Sequence, residues 1–291
     1  MPAQAKIYIG TSGWSYPTGE GTWKGYFYPT GKIIELEYYS QYFNTVEINS
    51  SFYRPPNPGY VYNWARRVPD GFLFTVKLWQ KFTHPKMYEE ATGKEAVISQ
   101  KDVDMFKHSI EPLARYRKLG ALLAQFPPSF KNDGFGRQIL GAVIKTFNEY
   151  RLAVELRHRS WSDDENTSQL LKGNNVSWVN IDEPKFQSSV AAEVPLTSDM
   201  AYFRFHGRNK EMWWKGNSET RYKYLYSPEE INELANRVKT ASDKTQLLFA
   251  FFNNHWQGYA PRNAVSMMRT LELPVREVSG QEEFPEEDVS E

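Results

Sequence analysis

The sequence predicts an α/β protein of the TIM-type (β/α)8 barrel class, with long loops at the carboxyl ends of its strands. Three observations carry this expectation. Eight short runs of aliphatic, β-branched and aromatic residues recur along 291 residues, and helical patterns separate them. That alternation is the mark of parallel strands joined by crossover helices, and eight such strands close a barrel. The rival is an open doubly wound sheet, whose dinucleotide-binding form follows its first strand with Gly-x-Gly-x-x-Gly. Here Gly10-Thr11-Ser12-Gly13-Trp14-Ser15-Tyr16 stands in that place.

The strands are expected at residues 6–10, 45–49, 72–78, 120–126, 151–156, 176–181, 200–206 and 246–252. Between them, residues 33–43 are amphipathic. Val103, Phe106, Ile110 and Leu113 recur at helical spacing within 102–118, and 135–150 follows the turn residues Asn132-Asp133-Gly134. Ser227-Pro228-Glu229-Glu230 combines an N-cap, a first-turn proline and acidic first-turn residues, and Pro261 opens a last helix through Leu271. No short repeat and no linker rich in Gly, Ser or Pro divides the chain. Residues 1–275 are therefore expected to form one barrel domain, followed by an acidic tail, 276–291, that frays in solvent. The long loops 11–32, 79–101, 182–199 and 207–227 follow strands one, three, six and seven, on the face where barrels build active sites.

Composition narrows the function classes. Lys plus Arg and Asp plus Glu both number 35, so the formal charge is zero and bulk electrostatics will not hold nucleic acid or an anionic membrane. Absence of cysteine removes disulfides, thiolate catalysis and cysteine-ligated metal centres. The chain shows no signal-peptide pattern and no apolar run near the roughly 18 residues of a membrane helix, so a cytoplasmic protein is expected, with no membrane partner. Nor does it contain a Gly-x-x-x-x-Gly-Lys loop or a Gly-x-Ser-x-Gly elbow.

Reading each strand at period two exposes the informative feature. Thr45, Glu47 and Asn49 share one side of strand two, opposite Val46 and Ile48. Thr75 pairs with Lys77, Glu155 with Arg157 and Asn180 with Asp182, while Tyr202, Arg204 and His206 align on strand seven. Strand four ends in Gln125, and strand eight runs into Asn253-Asn254-His255. The apolar neighbours must face the helices, so the polar set faces the interior and gathers toward the carboxyl ends. Buried charge costs several kcal/mol unless it is paired or used. A self-neutralising plug is the bland explanation, but six charges converging from separate strands with His206 and several amides favour a lined pocket.

These residues carry a resemblance. Residues 10–16, 23–29 (Trp-Lys-Gly-Tyr-Phe-Tyr-Pro) and 45–54 (Thr-Val-Glu-Ile-Asn-Ser-Ser-Phe-Tyr-Arg) resemble the YecE-like family of uncharacterised barrel proteins, domain of unknown function number seventy-two. Phe74-Thr75-Val76-Lys77, Thr83-His84, residues 202–207 and Phe252-Asn253-Asn254-His255 extend the match over nearly the whole chain. The stretch 18–21 is longer than that family's usual spacing before its second Trp. The resemblance implies a TIM-type barrel and supplies no activity.

Function therefore rests on the residues. The leading expectation is a metal-independent hydrolase or lyase acting on a small anionic, phosphorylated or nucleotide-like ligand. Glu47, Glu155 and His206 are its proton-transfer candidates. Trp14, Asn49, Tyr53, Lys77, Gln125, Arg157, Asp182, Arg204, Asn253 and Asn254 would contact the substrate, with Lys77, Arg157 and Arg204 holding the anion. Aromatics in the loops, Trp14, Trp23, Trp79, Trp161, Trp213, Trp214 and Trp256 among them, would either stack on a base or lock the loops. A second expectation is a divalent-metal enzyme of the endonuclease IV or sugar-isomerase kind, using Glu47, Glu155, Asp182, His206 and His255. A glycosidase built on Glu47 and Glu155 is a variant disfavoured by the surrounding cations. The third is a non-catalytic binder of nucleic acid or an anionic ligand through Lys81, Lys86, Arg208, Lys210, Lys215 and Arg221.

Overall fold

A computed structural model describes residues 5–216 and 220–275. The acidic tail lies outside the described residues. Among the described residues nine strands form in the expected places: β1 (Lys6–Thr11), β2 (Thr45–Ile48), β3 (Leu73–Lys77), β4 (Leu119–Gln125), β5 (Leu152–Glu155), β6 (Ser177–Trp178), β7 (Asn180–Asp182), β8 (Met200–Phe205) and β9 (Leu247–Phe252). Every strand pairing is parallel. The order is β2-β3-β4-β5-β6 in one sheet and β1-β9-β8-β7 in the other, an arrangement of parallel strands and helices consistent with a TIM-like fold.

Two features set the sheets against each other. β6 and β7 are halves of one expected strand, broken at Val179, whose N–H donates to the Val154 carbonyl at 3.0 Å. At the other junction Ser12 and Glu47 form a single parallel bridge, and the Gly13 N–H donates to the Glu47 carbonyl at 2.8 Å. Gly10 permits that approach, because a Cβ there would collide with the Thr45 carbonyl oxygen.

The expected helices form, with shifted ends. Residues 33–43 condense to Glu35–Tyr39, and the others become Gln100–Arg115, Gly134–Thr146, Pro228–Ser242 and Tyr259–Thr270. Capping boxes at Ser99/Asp102 and Ser227/Glu230 start two of them. Sequence reading did not anticipate Pro58–Arg67, Pro85–Thr92 and Glu165–Gly173, although Asn57-Pro58 is a legible start: the Asn57 side chain accepts from the Gly59 N–H at 2.8 Å.

The apolar faces behave as the alternation requires. Val46, Ile48, Phe74, Val76, Leu122, Ala124, Val154 and Phe203 are buried, as are Phe106, Ile110 and Leu113 on the helix Gln100–Arg115. Tyr202 packs against Phe249 and Phe251 at centroid distances of 6.0 and 5.3 Å. Gly120 leaves room for that layer, since a Cβ there would lie 2.6 Å from the Phe249 ring. The Tyr202 hydroxyl meets Thr75 Oγ1 at 2.9 Å and donates to Glu47 at 2.7 Å, so the aromatic layer hands over to the charged one through a single phenol.

Lys118 anchors the helix Pro58–Arg67 against β4. Its ammonium is buried and donates to the Ala65 and Val68 carbonyls at 2.8 and 2.6 Å, satisfying acceptors that the helix end leaves open. Lys118→Met strands both acceptors and should lower unfolding free energy by about 1–3 kcal/mol in urea titrations. An unchanged midpoint would remove this anchoring role.

Candidate functional site

Arg204 organises the site. Its side chain is 2% exposed, and the carboxylates of Glu47 and Glu155 are 0% exposed. Arg204 Nη2 donates to Glu47 Oε1 at 2.7 Å and Nε to Glu47 Oε2 at 3.1 Å. Its Nη1 donates to Glu155 Oε2 at 2.6 Å. Glu47 also accepts from Ser12 Oγ at 2.8 Å and from Tyr202, so four donors fill its oxygens. Glu155 Oε1 accepts from Arg157 Nε at 2.6 Å. Burial alone would raise the Glu155 carboxyl, but Arg157 and Arg204 outweigh it and hold the group far below the usual carboxylate range.

His206 completes the cluster. Its Nε2 lies 3.2 Å from Arg157 Nη2 and 3.4 Å from Arg204 Nη1, and both guanidiniums can only donate. The ring nitrogen facing them must therefore be the acceptor, and on the other side of the ring Nδ1 lies 2.9 Å from the Asn253 side-chain amide nitrogen. Burial, reinforced by Arg204 and Arg157, holds the His206 pKa well below its ordinary value, so the ring is neutral.

Lys77 stands apart. It ends β3, and its Nζ lies 3.9 Å from the centroid of the Phe52 ring. Among the described residues it has no hydrogen-bond or ion-pair partner. Burial, with Arg204 and Arg157 adding to it against the opposing pull of Glu155 and Glu47, pushes its pKa down to about 7.

These groups meet a cavity of about 550 Å³. Of the expected site residues, Trp14, Asn49, Tyr53, Lys77, Gln125, Arg157, Arg204, His206 and Asn253 line it, and Glu47 and Glu155 are bonded to its arginines. Asn49 Oδ1 is buried without a hydrogen-bond partner among the described residues. Tyr16, His255 and Tyr222 form an aromatic wall, with Tyr16 stacked on His255 at 4.7 Å and Tyr222 5.3 Å from it. Tyr222 escaped the sequence reading because it lies in a loop with no periodicity to place it.

Three residues of the expected polar set fall elsewhere. Asp182 accepts from Arg208 Nη2 at 2.8 Å and from the Tyr226 hydroxyl at 2.7 Å, and lies 3.9 Å from Arg237, on the side of the helix Pro228–Ser242. Asn180 is likewise spent, exchanging hydrogen bonds with the Val194 backbone. The break at Val179 resets the alternation, so period two assigned these side chains to the wrong face. It is Glu183 that reaches the cluster, 3.5 Å from Arg157 Nη1 and with its carboxyl pushed up by burial. Asn254 is also displaced: its amide donates to the Tyr224 carbonyl and to Asn263 Oδ1, both at 2.8 Å, tying a loop to the helix Tyr259–Thr270.

Most of the tryptophans lock loops. Trp23, Trp79, Trp161, Trp213 and Trp256 are buried, with Trp161 donating to the Phe130 carbonyl at 2.8 Å. Of the loop tryptophans, Trp14 alone borders the cavity, and Trp214 is exposed. The cationic rim is partly spent as well, since Lys81 is buried against Asp102 at 2.9 Å and Arg208 is clamped by Asp182, Glu230 and Glu233. Displacement of Asp182 also splits the carboxylates and histidines expected of a metal centre, and among the described residues no three such groups are arranged to hold an ion. No helix among those residues is long and apolar enough to cross a membrane.

A parallel α/β protein with a charged, arginine-centred cavity at the carboxyl ends of its strands is the class that fold and site define. Within that class, the chain belongs to the family described as "Protein of unknown function DUF72", whose model matches residues 8–288. It is 30% identical over 281 residues to the UPF0759 protein YunF of Bacillus subtilis, covering 92% of this chain and 95% of that one. With the UPF0759 protein YecE of Escherichia coli it shares 28% identity over 158 residues, 52% of this chain and 48% of YecE. Solved structures of DUF72 family proteins are similar too. One from Thermotoga maritima is 37% identical with a TM-score of 0.79, covering 91% of this chain and 99% of that one. Another, from Enterococcus faecalis, is 26% identical with a TM-score of 0.78, covering 93% and 99%.

The ion cluster makes stability depend on acid. The folded-state pKa of Glu155 lies below its unfolded value, so its contribution is complete above about pH 5 and is lost as pH falls. Glu155→Gln should flatten the dependence of unfolding free energy on pH between about 2 and 5. A slope identical to that of the wild type, in urea titrations across that range, would contradict a charged, ion-paired Glu155.

Proposed function

We propose that the chain is a metal-independent hydrolase or lyase that uses acid/base chemistry on a phosphorylated or nucleotide-like ligand, in a cavity at the mouth of a closed TIM-type barrel. Closure is supported by the Ser12–Glu47 bridge at one sheet junction and by the near-continuity of β6 and β7 at the other. The observation that carries the chemistry is Lys77: an amine in the cavity, without a partner among the described residues, whose proton is balanced near neutral pH. A general base works best when its pKa sits near the working pH.

The residues divide the work. Lys77 and Arg157 supply positive charge to an anionic group, and the Gln125 and Asn49 amides offer neutral polar contacts beside them. Tyr53, 69% exposed at the rim, and Trp14 present ring faces to a base or sugar. Glu47 and Glu155 were the expected proton carriers. In this reading they neutralise and orient Arg204 and Arg157, because every Glu47 oxygen is occupied and Glu155 is held ionised. His206, facing two guanidiniums with its lone pair, positions them and does not take up a proton. Lys77, freed of any carboxylate, moves the proton.

Calorimetric titration at pH 6.5 with adenosine monophosphate and adenosine tests the reading. The phosphate should improve affinity at least about tenfold, and Lys77→Met should erase that advantage. Equal binding of the two compounds would sink it. The same variant makes a second expectation. The folded-state pKa of Lys77 lies below its unfolded value of about 10.4, so the unfolded chain holds more protons and this group makes stability rise with pH between about 7 and 10. Lys77→Met should remove that rise and increase Tm at pH 6.5, since a half-buried, partly desolvated ammonium is lost. A lower Tm, with the wild-type pH dependence kept, would show that Lys77 is a structural cation.

A further inference from the structure

Proton transfer does not exhaust the chemistry open to Lys77. An amine left partly unprotonated at neutral pH by a low-dielectric setting and neighbouring cations is a nucleophile toward carbonyl carbon. Here that amine ends a strand, reaches the cavity, and is held by no acceptor among the described residues. The Phe52 face beneath it, 3.9 Å from Nζ, supports it without occupying its lone pair. Arg204 and Arg157 are the cations acting on it, from β8 and from the segment after β5. Glu47 on β2 and Glu155 on β5 oppose them, and His84, edge-on to Phe52 at 4.9 Å, is kept neutral by burial and by Lys77 itself.

We propose that Lys77 forms an imine with an aldehyde or ketone that also carries a phosphate or similar anionic group. The proposal rests on the anionic-ligand reading above and narrows it to carbonyl substrates. In the first step the Nζ lone pair attacks the carbonyl carbon, and the C=O π pair moves to oxygen, which takes up the proton nitrogen gives up. The resulting carbinolamine loses its hydroxyl with a second proton, as water, as the C=N bond forms. Amine plus carbonyl gives imine plus water, with no oxidant or reductant. Protonated, the imine is cationic, and the two glutamates that draw positive charge toward Lys77 favour it. Arg157, which borders the same cavity with its charge shared between Glu155 and Glu183, sits where the anionic group would be held.

The test is reductive trapping of the full chain with glyceraldehyde 3-phosphate and sodium borohydride at pH 7, the adduct being located by peptide mass. Glycerol 3-phosphate, which lacks the carbonyl, and glyceraldehyde, which lacks the phosphate, are the comparison probes. Expected is one adduct at Lys77, formed at least about tenfold faster than at any other lysine, since ordinary lysines are almost wholly protonated at pH 7. Glycerol 3-phosphate should compete with it, and Lys77→Arg should bind glycerol 3-phosphate yet carry no adduct. If glyceraldehyde 3-phosphate and glycerol 3-phosphate bind but Lys77 is labelled no faster than surface lysines, the imine is overturned and the anionic pocket stands. If glyceraldehyde labels Lys77 as fast as its phosphate, the imine stands and the anionic pocket falls. If neither phosphate binds and Lys77 is not labelled, both fall.

Discussion

A guanidinium buried to 2% exposure is what the rest of this structure answers to. Arg204 leaves β8, in the four-stranded sheet, and its two carboxylate partners stand on β2 and β5 of the five-stranded sheet. One side chain therefore ties together strands that share no backbone ladder. Withdrawing three charges from water is costly, and the arrangement repays it by geometry: a two-pronged contact with Glu47 whose oxygens also accept from Ser12 and Tyr202, a short contact with one Glu155 oxygen, and Arg157 on the other. The Gly10 close approach and the aromatic layer below serve this geometry, because each sets how near the strands come.

Once Arg204 and Arg157 have consumed Glu47 and Glu155, the cavity holds an unequal remainder. Lys77 is left without a counter-ion among the described residues, and His206 is left neutral between two cations. A chain selected for stability alone would place an apolar side chain at position 77. Keeping an amine there stores unfavourable desolvation at the spot where a proton or an electron pair can be exchanged, the kind of local conflict that marks working sites. The aromatic residues divide in the same way. The buried tryptophans hold long loops to the strands, and a smaller group, Trp14, Tyr16, Tyr53 and Tyr222, is turned to the cavity.

Much of this arrangement is legible in the linear chain. Alternation puts Glu47, Lys77, Glu155 and Arg204 on interior faces because their strands run unbroken, and period two is then a strict geometric rule. It misplaces Asp182 where the strand breaks at Val179: a single irregular residue turns every later side chain over, and Glu183 arrives in its place. Asn254 is misplaced because strand β9 ends at Phe252 and the loop beyond it obeys no period. Tyr222 and His84 lie in segments whose positions are fixed by packing alone.

By itself, then, the sequence determined the parallel α/β plan, its strands, and the fact that charge points inward, since these follow from local periodicity and from the cost of burying polar groups. Only tertiary structure decided which charge meets which. The pairing of Arg204 with two glutamates, the neutrality of His206 and the isolation of Lys77 depend on distances between strands remote in the chain. Those distances are set by close packing at Gly10 and Gly120 and by the junction of the two sheets. Buried electrostatic energies change steeply over an ångström or two, and no one-dimensional pattern encodes a separation that fine.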